Sequence, residues 1–268
     1  SQGDYVTGKV YKLTMQKARD QLLSSRLTPH ETSILRSAIG ILRWLADQTR
    51  PDCAGPCLVL NTRQLQPTWR DVKLFNATVD KVKRQPMRIL YRKLEASKWW
   101  VTMFCDASHN SINDGQGSVG AYLIFLSNGY EKGERRVANI LAWKSTKLRR
   151  ICRSSTEAET LALSQALEEG DLIRDQIISM TGLSKDLILM ECYCDAKNVV
   201  EGLDSNVPPK ATTPYRNEFA LIKQFKDEKK VHKLQHVKGD EQMADSLTKL
   251  GAGEVDLIET LNRGKFFN

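Results

Sequence analysis

No apolar run of about 18 residues occurs anywhere in the chain, so no membrane-spanning helix is expected. The stretch SQGDYVTGKVYKLTMQ at the start has no apolar core of the kind a signal peptide carries, and an intracellular setting, cytoplasmic or nuclear, is expected. No segment recurs at a fixed period, which argues against repeat architectures. Paired CxxC motifs are missing too. The six cysteines include Cys53 and Cys57 as C-x3-C and Cys192 and Cys194 as C-x-C, and the four histidines complete no zinc ribbon. All six are therefore expected to be reduced thiols packed in the core. A Ser/His/Asp nucleophile pattern is absent as well, which leaves the acids as the carriers of any chemistry.

What is present is an ordinary soluble composition: 268 residues, 41% hydrophobic and 27% charged, enough for one large domain or two modest ones. The net charge is +8 and the pI is near 9.1, compatible with a polyanionic partner. Lysine and arginine concentrate in KSTKLRRICR (144–153) and KDEKKVHK (226–233). Either stretch reads as a solvated surface or as a set of phosphate contacts.

The first hundred residues read as mostly helical. In RLTPHETSILRSAIGILRWLADQTRPD, Thr28 is a helix N-cap, Pro29 takes the first helical position and Glu31 closes a capping box. Ile34, Leu35, Ala38, Ile41, Leu42 and Leu45 follow at helical spacing, and Pro51 ends the run. A further helix fits PTWRDVKLFNATVDKVKRQP, with Val72, Phe75, Val79 and Val82 as one stripe.

Near residue 98 the pattern changes. WWVTMFCDAS, VGAYLIFLS and RVANILAWKS are three apolar, β-rich runs separated by turn signals, which predicts an antiparallel meander. A long helix over SSTEAETLALSQALEEGDLIRDQIISMTG ends at Gly182. Then follow a strand LILMECYCDA, a short helix KNVVEGLDS, a polar loop around NVPPKATTP, a helix YRNEFALIKQFKDEKK and a strand VHKLQHVK. A final helix opens in DEQMADSLTKLGAG. The order βββ-α-β-α-α-β-α describes a mixed α/β fold with helices on the faces of the sheet. The expected division is a helical segment over residues 1–97 and an α/β domain over 98–268.

Asp106 and Asp195 each end an apolar strand, a recurrent place for a functional acid, although an aspartate there also caps turns well. RSSTEAE offers Glu157 and Glu159 at the start of a helix. Two residues turn a helix by about 200°, so at most one can face the sheet. The apolar set Leu163, Ala166, Leu167, Ile173 and Ile177 assigns that role to Glu159 and points Glu157 at solvent. Asp245 supplies a fourth acid near the start of the last helix. Four such carboxylates would repel one another unless cations lay between them. Hard oxygen ligands suit Mg²⁺, and two such ions about 4 Å apart can assist phosphodiester hydrolysis.

CDAS (105–108), AWKSTK (142–147), RSSTEAE (153–159), CDAKN (194–198) and QMADSLTK (242–249) occur in this order. Together they resemble the ribonuclease H domain of copia-type LTR retrotransposon polyproteins. Upstream, SAIGILRWLADQTRPDCAG resembles the segment that follows the polymerase active site in the same reverse transcriptases. The resemblance implies a ribonuclease H-like five-stranded mixed sheet with flanking helices, preceded by a mostly helical connection segment. It implies metal-dependent cleavage of the RNA strand of an RNA–DNA hybrid, with Mg²⁺ as two ions and Mn²⁺ as a substitute. The family's catalytic and metal-binding acids fall on Asp106, Glu159, Asp195 and Asp245. Asp106 and Asp195 would hold or bridge both ions, with Glu159 and Asp245 each completing one. Ser108, Lys144, Lys147, Arg149, Arg150, Arg153 and Asn198 are candidate contacts to the hybrid. The polymerase part of the same polyprotein is a further expected partner.

The sequence departs from the family pattern in three places. It has no Y-x-D-D polymerase motif, so this chain would not itself copy a template. The loop HVKGDEQMAD has Asp240 where many ribonucleases H carry a histidine, and TTPYRNEF lacks a histidine common in copia-type elements. His236 and His109 are the histidines nearest the expected site. These departures keep an alternative in view: a retroelement-derived non-catalytic subunit with a structural or protein-binding role.

Overall fold

The computed structural model describes residues 2–14, 22–95, 97–112, 115, 117–204, 213–250 and 254–266. The polar loop read around NVPPKATTP falls largely outside them, at 205–212. Two compact units divide the chain, Ser1–Arg88 and Ile89–Asn268. The segment from Ile89 to the first strand, which the sequence reading assigns to the helical part, is bonded into the second unit. Leu90 N–H donates to Leu261 O at 3.0 Å, and Arg92 N–H donates to Asn139 Oδ1 at 2.7 Å.

The first unit contains α1 (Gln2–Lys9), α2 (Pro29–Gln48), α3 (Ala54–Thr62) and α4 (Trp69–Arg84). α2 begins as its sequence predicts. Thr28 Oγ1 accepts from Glu31 N–H, and Glu31 Oε2 accepts from Thr28 N–H at 2.8 Å, closing the capping box. Its buried face, Leu35, Ala38, Ile39, Leu42 and Leu45, packs in one core with Cys57 and Leu60 of α3 and the Val72, Phe75, Val79, Val82 stripe of α4. Arg50 is 1% exposed and forks onto Asp52, which is fully buried, with Nε to Oδ1 and Nη2 to Oδ2 both at 2.8 Å. The same guanidinium donates to Val82 O and Gln85 O, while Lys81 Nζ donates to Asp52 O. This charged knot ties the end of α2 to the end of α4.

The second unit runs β1 (Trp99–Ile112), β2 (Gly117–Ser127), β3 (Ala138–Lys147), α5 (Ser155–Thr181), β4 (Ile188–Cys194), α6 (Lys197–Asp204), α7 (Thr213–Asp227), β5 (Lys233–His236), α8 (Asp245–Thr248) and α9 (Glu254–Arg263). The five strands form one sheet in the order β3-β2-β1-β4-β5. β1, β2 and β3 are antiparallel neighbours, and β4 and β5 add in parallel. This is the mixed sheet with flanking helices that the element order describes. One departure concerns the last helix. In place of a single run there is a 3₁₀ turn at Gly239–Glu241, the four-residue α8, and then α9.

Side-chain alternation splits the sheet into two cores. One face carries Met103, Cys105, Tyr122, Met190, Cys192 and Cys194 against Leu163, Ala166 and Leu167 of α5 and Phe219 and Ile222 of α7. α5 lies close to β1 there because residue 170 is glycine, where a Cβ would overlap Met103 Sδ. The other face holds Phe104, Phe125, Tyr130, Tyr193 and Phe266, with ring centroids from 4.8 to 6.3 Å apart. No helix among the described residues is long and apolar enough to cross a membrane.

Candidate metal centre

The parallel pairing of β1 with β4 ends at Cys105 opposite Cys194; Asp195 follows the end of β4, whereas Asp106, expected at a strand end, lies inside β1, which continues to Ile112 paired with β2. Gln242 clamps the two strands where their pairing stops, its Nε2 donating to Cys105 O at 2.9 Å and to Tyr193 O at 3.4 Å. That bond draws the loop before α8 across this point and brings Asp245, the first residue of α8, to it. Glu159 arrives from the other face. Ser154 caps α5 by accepting from Glu157 N–H at 3.2 Å, and Glu157 Oε2 accepts from Arg153 N–H at 2.7 Å. Glu157 thus serves the helix end, while Glu159, two residues on, is turned inward and only 9% exposed.

The four acids and Cys194 form two overlapping triads. Ligand atoms of Asp106, Asp195 and Asp245 lie within 4.8 Å of one another, and so do those of Glu159, Asp195 and Cys194. Asp195 is common to both. Lys249 enters the first triad, with Nζ 2.7 Å from Asp245 Oδ1 and 3.7 Å from Asp106 Oδ1. Thr248 Oγ1 donates to Asp106 Oδ2. Neither Asp106 Oδ1 nor Glu159 Oε2 has a hydrogen-bond donor among the described residues, although both are buried.

Another buried acid shows how unusual this is. Glu191 of β4 is 1% exposed, yet its carboxylate accepts from Thr102 Oγ1 at 2.7 Å, Tyr130 N–H at 2.6 Å and Tyr193 OH at 2.9 Å. A buried carboxylate kept for architecture is saturated in this way; leaving an oxygen orphaned costs about 1–3 kcal/mol. Burial raises the Asp106 carboxyl to about 7, reinforced by the Asp245 charge and opposed by Lys249 and Thr248. Burial raises Glu159 to about 10, with Cys194, Asp106 and Asp195 adding to the shift and a backbone bond from Ala107 opposing it. Asp195 is raised by burial too, against Lys249. Carboxylates that resist ionisation together, with two orphaned oxygens among them, fit a bound cation. Asp106, Asp195, Asp245 and Glu159 would supply the hard oxygen ligands that Mg²⁺ takes.

The candidate nucleic-acid residues scatter around this centre. Lys144, Lys147, Arg149 and Arg150 line a groove of about 710 Å³ that also contains Glu168, Glu169 and Glu218. Ser145 Oγ donates to Leu247 O of α8, so Lys144, its strand neighbour, points to the opposite face from Asp106. Arg150 pairs with Glu218, which also accepts from Ser164 Oγ. Arg153 is exposed at the start of α5, and Ser108 is half-buried in β1. Asn198 Nδ2 donates to Thr156 Oγ1 at 2.8 Å, joining α6 to α5. His236 ends β5 opposite Cys194, exposed, and its charge favours ionisation of Asp195. His109 Nε2 lies 3.0 Å from Cys152 O. Lys249, Thr248, Gln242 and Cys194 are the neighbours of the acids that the sequence reading missed. For Lys249 a signal existed: it stands four residues after Asp245, the spacing of a helical ion pair.

No protein-family model matches the chain. Among curated proteins it is 28% identical over 170 residues to a putative transposon Ty5-1 protein of Saccharomyces cerevisiae, covering 59% of this chain and 49% of that protein. It is 29% identical over 139 residues to an uncharacterized mitochondrial protein of Arabidopsis thaliana, covering 52% and 53%. The chain thus spans about half the length of the curated relatives it matches. Its similarity to a transposon protein agrees with the retrotransposon resemblance of its motifs. Similar solved structures include ribonuclease H1 of the archaeon Halobacterium salinarum NRC-1, at 17% identity and a TM-score of 0.37 over 55% of this chain and 93% of that one. LC11-RNase H1 in complex with RNA/DNA hybrid gives 21% and 0.38, over 59% and 99%. A protease-reverse transcriptase of prototype foamy virus gives 13% and 0.36, over 73% and 27%.

Proposed function

We propose that the second unit is a ribonuclease H of retroelement type, which hydrolyses the RNA strand of an RNA–DNA hybrid with the help of bound divalent metal. The observation that carries this reading is the Asp106–Asp195–Asp245 triad where the β1–β4 pairing stops, with Asp106 Oδ1 buried and without a hydrogen-bond donor among the described residues. Together with Glu159 these acids would hold Mg²⁺, with Mn²⁺ as a substitute and two ions as the expected number. Such ions supply charge stabilisation at a phosphodiester and a more acidic water. The chain's own part is to set the acids at fixed separations. Gln242 locks β1 to β4 where their pairing stops, the α5 cap turns Glu159 inward, and Thr248 orients the Asp106 carboxylate. The basic groove and Arg153 are candidate phosphate contacts, a salt-sensitive and sequence-independent contribution. The helical first unit resembles a reverse-transcriptase connection segment, and a polymerase region is the partner this implies.

One observation favours a second reading, a non-catalytic retroelement-derived subunit: Lys249 neutralises two of the acids without any metal. A labelled RNA–DNA hybrid incubated with the chain and Mg²⁺ or Mn²⁺ separates the two. Cleavage by the parent and none by Asp195→Asn is expected for the nuclease. A folded parent that binds Mg²⁺ but leaves the hybrid intact would sink it.

A further inference from the structure

The second triad has a chemistry of its own. Cys194 Sγ lies within 4.8 Å of ligand oxygens of both Glu159 and Asp195. Glu159 is about nine-tenths buried, and its Oε2 has no hydrogen-bond donor among the described residues. The sulfur already accepts a hydrogen bond from Ala196 N–H at 3.3 Å, a contact that a metal-bound thiolate would keep and that helps hold the sulfur in place. Asp195 is only half-buried and opens the group to solvent. The other thiols on this face lack such company: Cys105 and Cys192 meet each other at 3.9 Å, and Cys105 Sγ turns to Tyr193 O.

A thiolate is a poor ligand for Mg²⁺, which demands oxygen, and a good one for borderline-soft divalent ions. One sulfur and two carboxylates, with a fourth position left for water, form a donor set that suits tetrahedral Zn²⁺. Its bonds of about 2.3 Å to sulfur and 2.0–2.2 Å to oxygen would hold the three donor atoms inside the spacing they already have. We infer that Glu159, Cys194 and Asp195 form a zinc-selective site beside the all-oxygen triad, sharing Asp195 with it. Zinc and magnesium then compete for Asp195, and for Glu159 wherever that glutamate completes the magnesium set. Inhibition of hybrid cleavage by zinc follows from this only if the nuclease reading holds; the zinc site itself does not depend on that reading.

Cobalt(II) is the probe, because thiolate ligation gives it a near-ultraviolet charge-transfer band that carboxylates do not. Titrated into the full metal-free chain, it should produce this band, and Zn²⁺ should abolish it. The band should vanish in Cys194→Ser and persist in Cys57→Ser. Glu159→Gln and Asp195→Asn, which keep all six thiols, should each weaken cobalt binding at least about tenfold, as loss of a ligand does. These two variants decide the matter if Cys194→Ser fails to fold. Absence of the band in the parent, its survival in Cys194→Ser, or unchanged affinity in both carboxylate variants would each overturn the site. Hybrid cleavage in Mg²⁺ is scored separately. Cleavage without the band removes the zinc site alone, and the band without cleavage removes the nuclease alone.

Discussion

Replacing Lys249 by methionine tests whether its ammonium occupies the place of a metal ion. Nζ sits 3.7 Å from Asp106 Oδ1 and closer still to Asp245 Oδ1. Unit charges at that distance interact by about 1 kcal/mol in water and about 4 kcal/mol at an effective dielectric constant near 20. The lysine side chain is 41% exposed, so the lower part of that range applies, roughly 1–2 kcal/mol after solvent screening. An incoming Mg²⁺ has to displace the ammonium or tolerate it. Lys249→Met should therefore bind Mg²⁺ about five- to thirtyfold more tightly by isothermal titration calorimetry, since about 1.4 kcal/mol is tenfold. Without metal, the same variant should melt at a lower temperature than the parent, because Asp106 and Asp245 then face each other unscreened. Tighter binding combined with a lower metal-free Tm is the signature. Magnesium affinity that is unchanged or weaker would show that the lysine does not stand in for the cation, and would favour the subunit reading in which it neutralises the acids permanently.

Three further outcomes follow from the same geometry. Asp106 ionises only near pH 7 when metal-free, mainly because it is buried. Its contribution to stability is therefore full below its ordinary value of 3.8 and lost as pH rises through about 7, with Glu159 extending the loss toward about 10. In Asp106→Asn the fall of Tm with pH between about 4 and 7 should flatten, and a slope equal to the parent's would contradict the assignment. Asp52 has the opposite sign: burial would raise it, but the Arg50 hydrogen bond and charge, with Lys81, outweigh burial and hold it low. Its contribution is present above 3.8 and lost as pH falls further, and Asp52→Ala, which strands a buried guanidinium, should cost the first unit about 3–5 kcal/mol in urea unfolding. Gly170→Ala forces a Cβ onto Met103 Sδ, and overpacking of about 1–3 kcal/mol should exceed the roughly 1 kcal/mol that alanine gains in helix propensity. A more stable variant would mean that Met103 yields.

Local rules carried the sequence reading where one element decided the outcome. Glu157 against Glu159 was legible because a 3.6-residue period and a cap signal act within a single helix, and the structure turns only Glu159 inward. The α2 capping box and the α4 stripe were legible for the same reason. What could not be read depended on where separate elements meet. Gln242 reaches Cys105 of β1 by a loop contact across 137 residues, and no periodicity announces it. The cysteines at 192 and 194 were correctly placed in the core, but period-two alternation alone could not say that Cys194 meets a glutamate from the helix across that face. Alternation was available for the basic residues and went unused. Lys144 and Ser145 are strand neighbours facing opposite sides, and Ser145 faces α8 on the Asp106 side, so Lys144 points away from the acids.

The buried acids on and beside this sheet separate what an architecture needs from what a site needs. Glu191 is enclosed by three donors, so its removal would leave those donors unpaired. Asp106 and Glu159 each hold a buried oxygen without a hydrogen-bond donor among the described residues, and both are pushed toward the neutral form by burial and by neighbouring acidic groups. A protein whose only need was to fold would gain from asparagine, glutamine or an apolar residue at either position. The same charges become favourable once a divalent cation lies between them, because attraction then replaces repulsion at every pair. The unfavourable electrostatics of the metal-free centre and its fitness to bind metal are thus one property, and its size sets how strongly cation binding stabilises the fold.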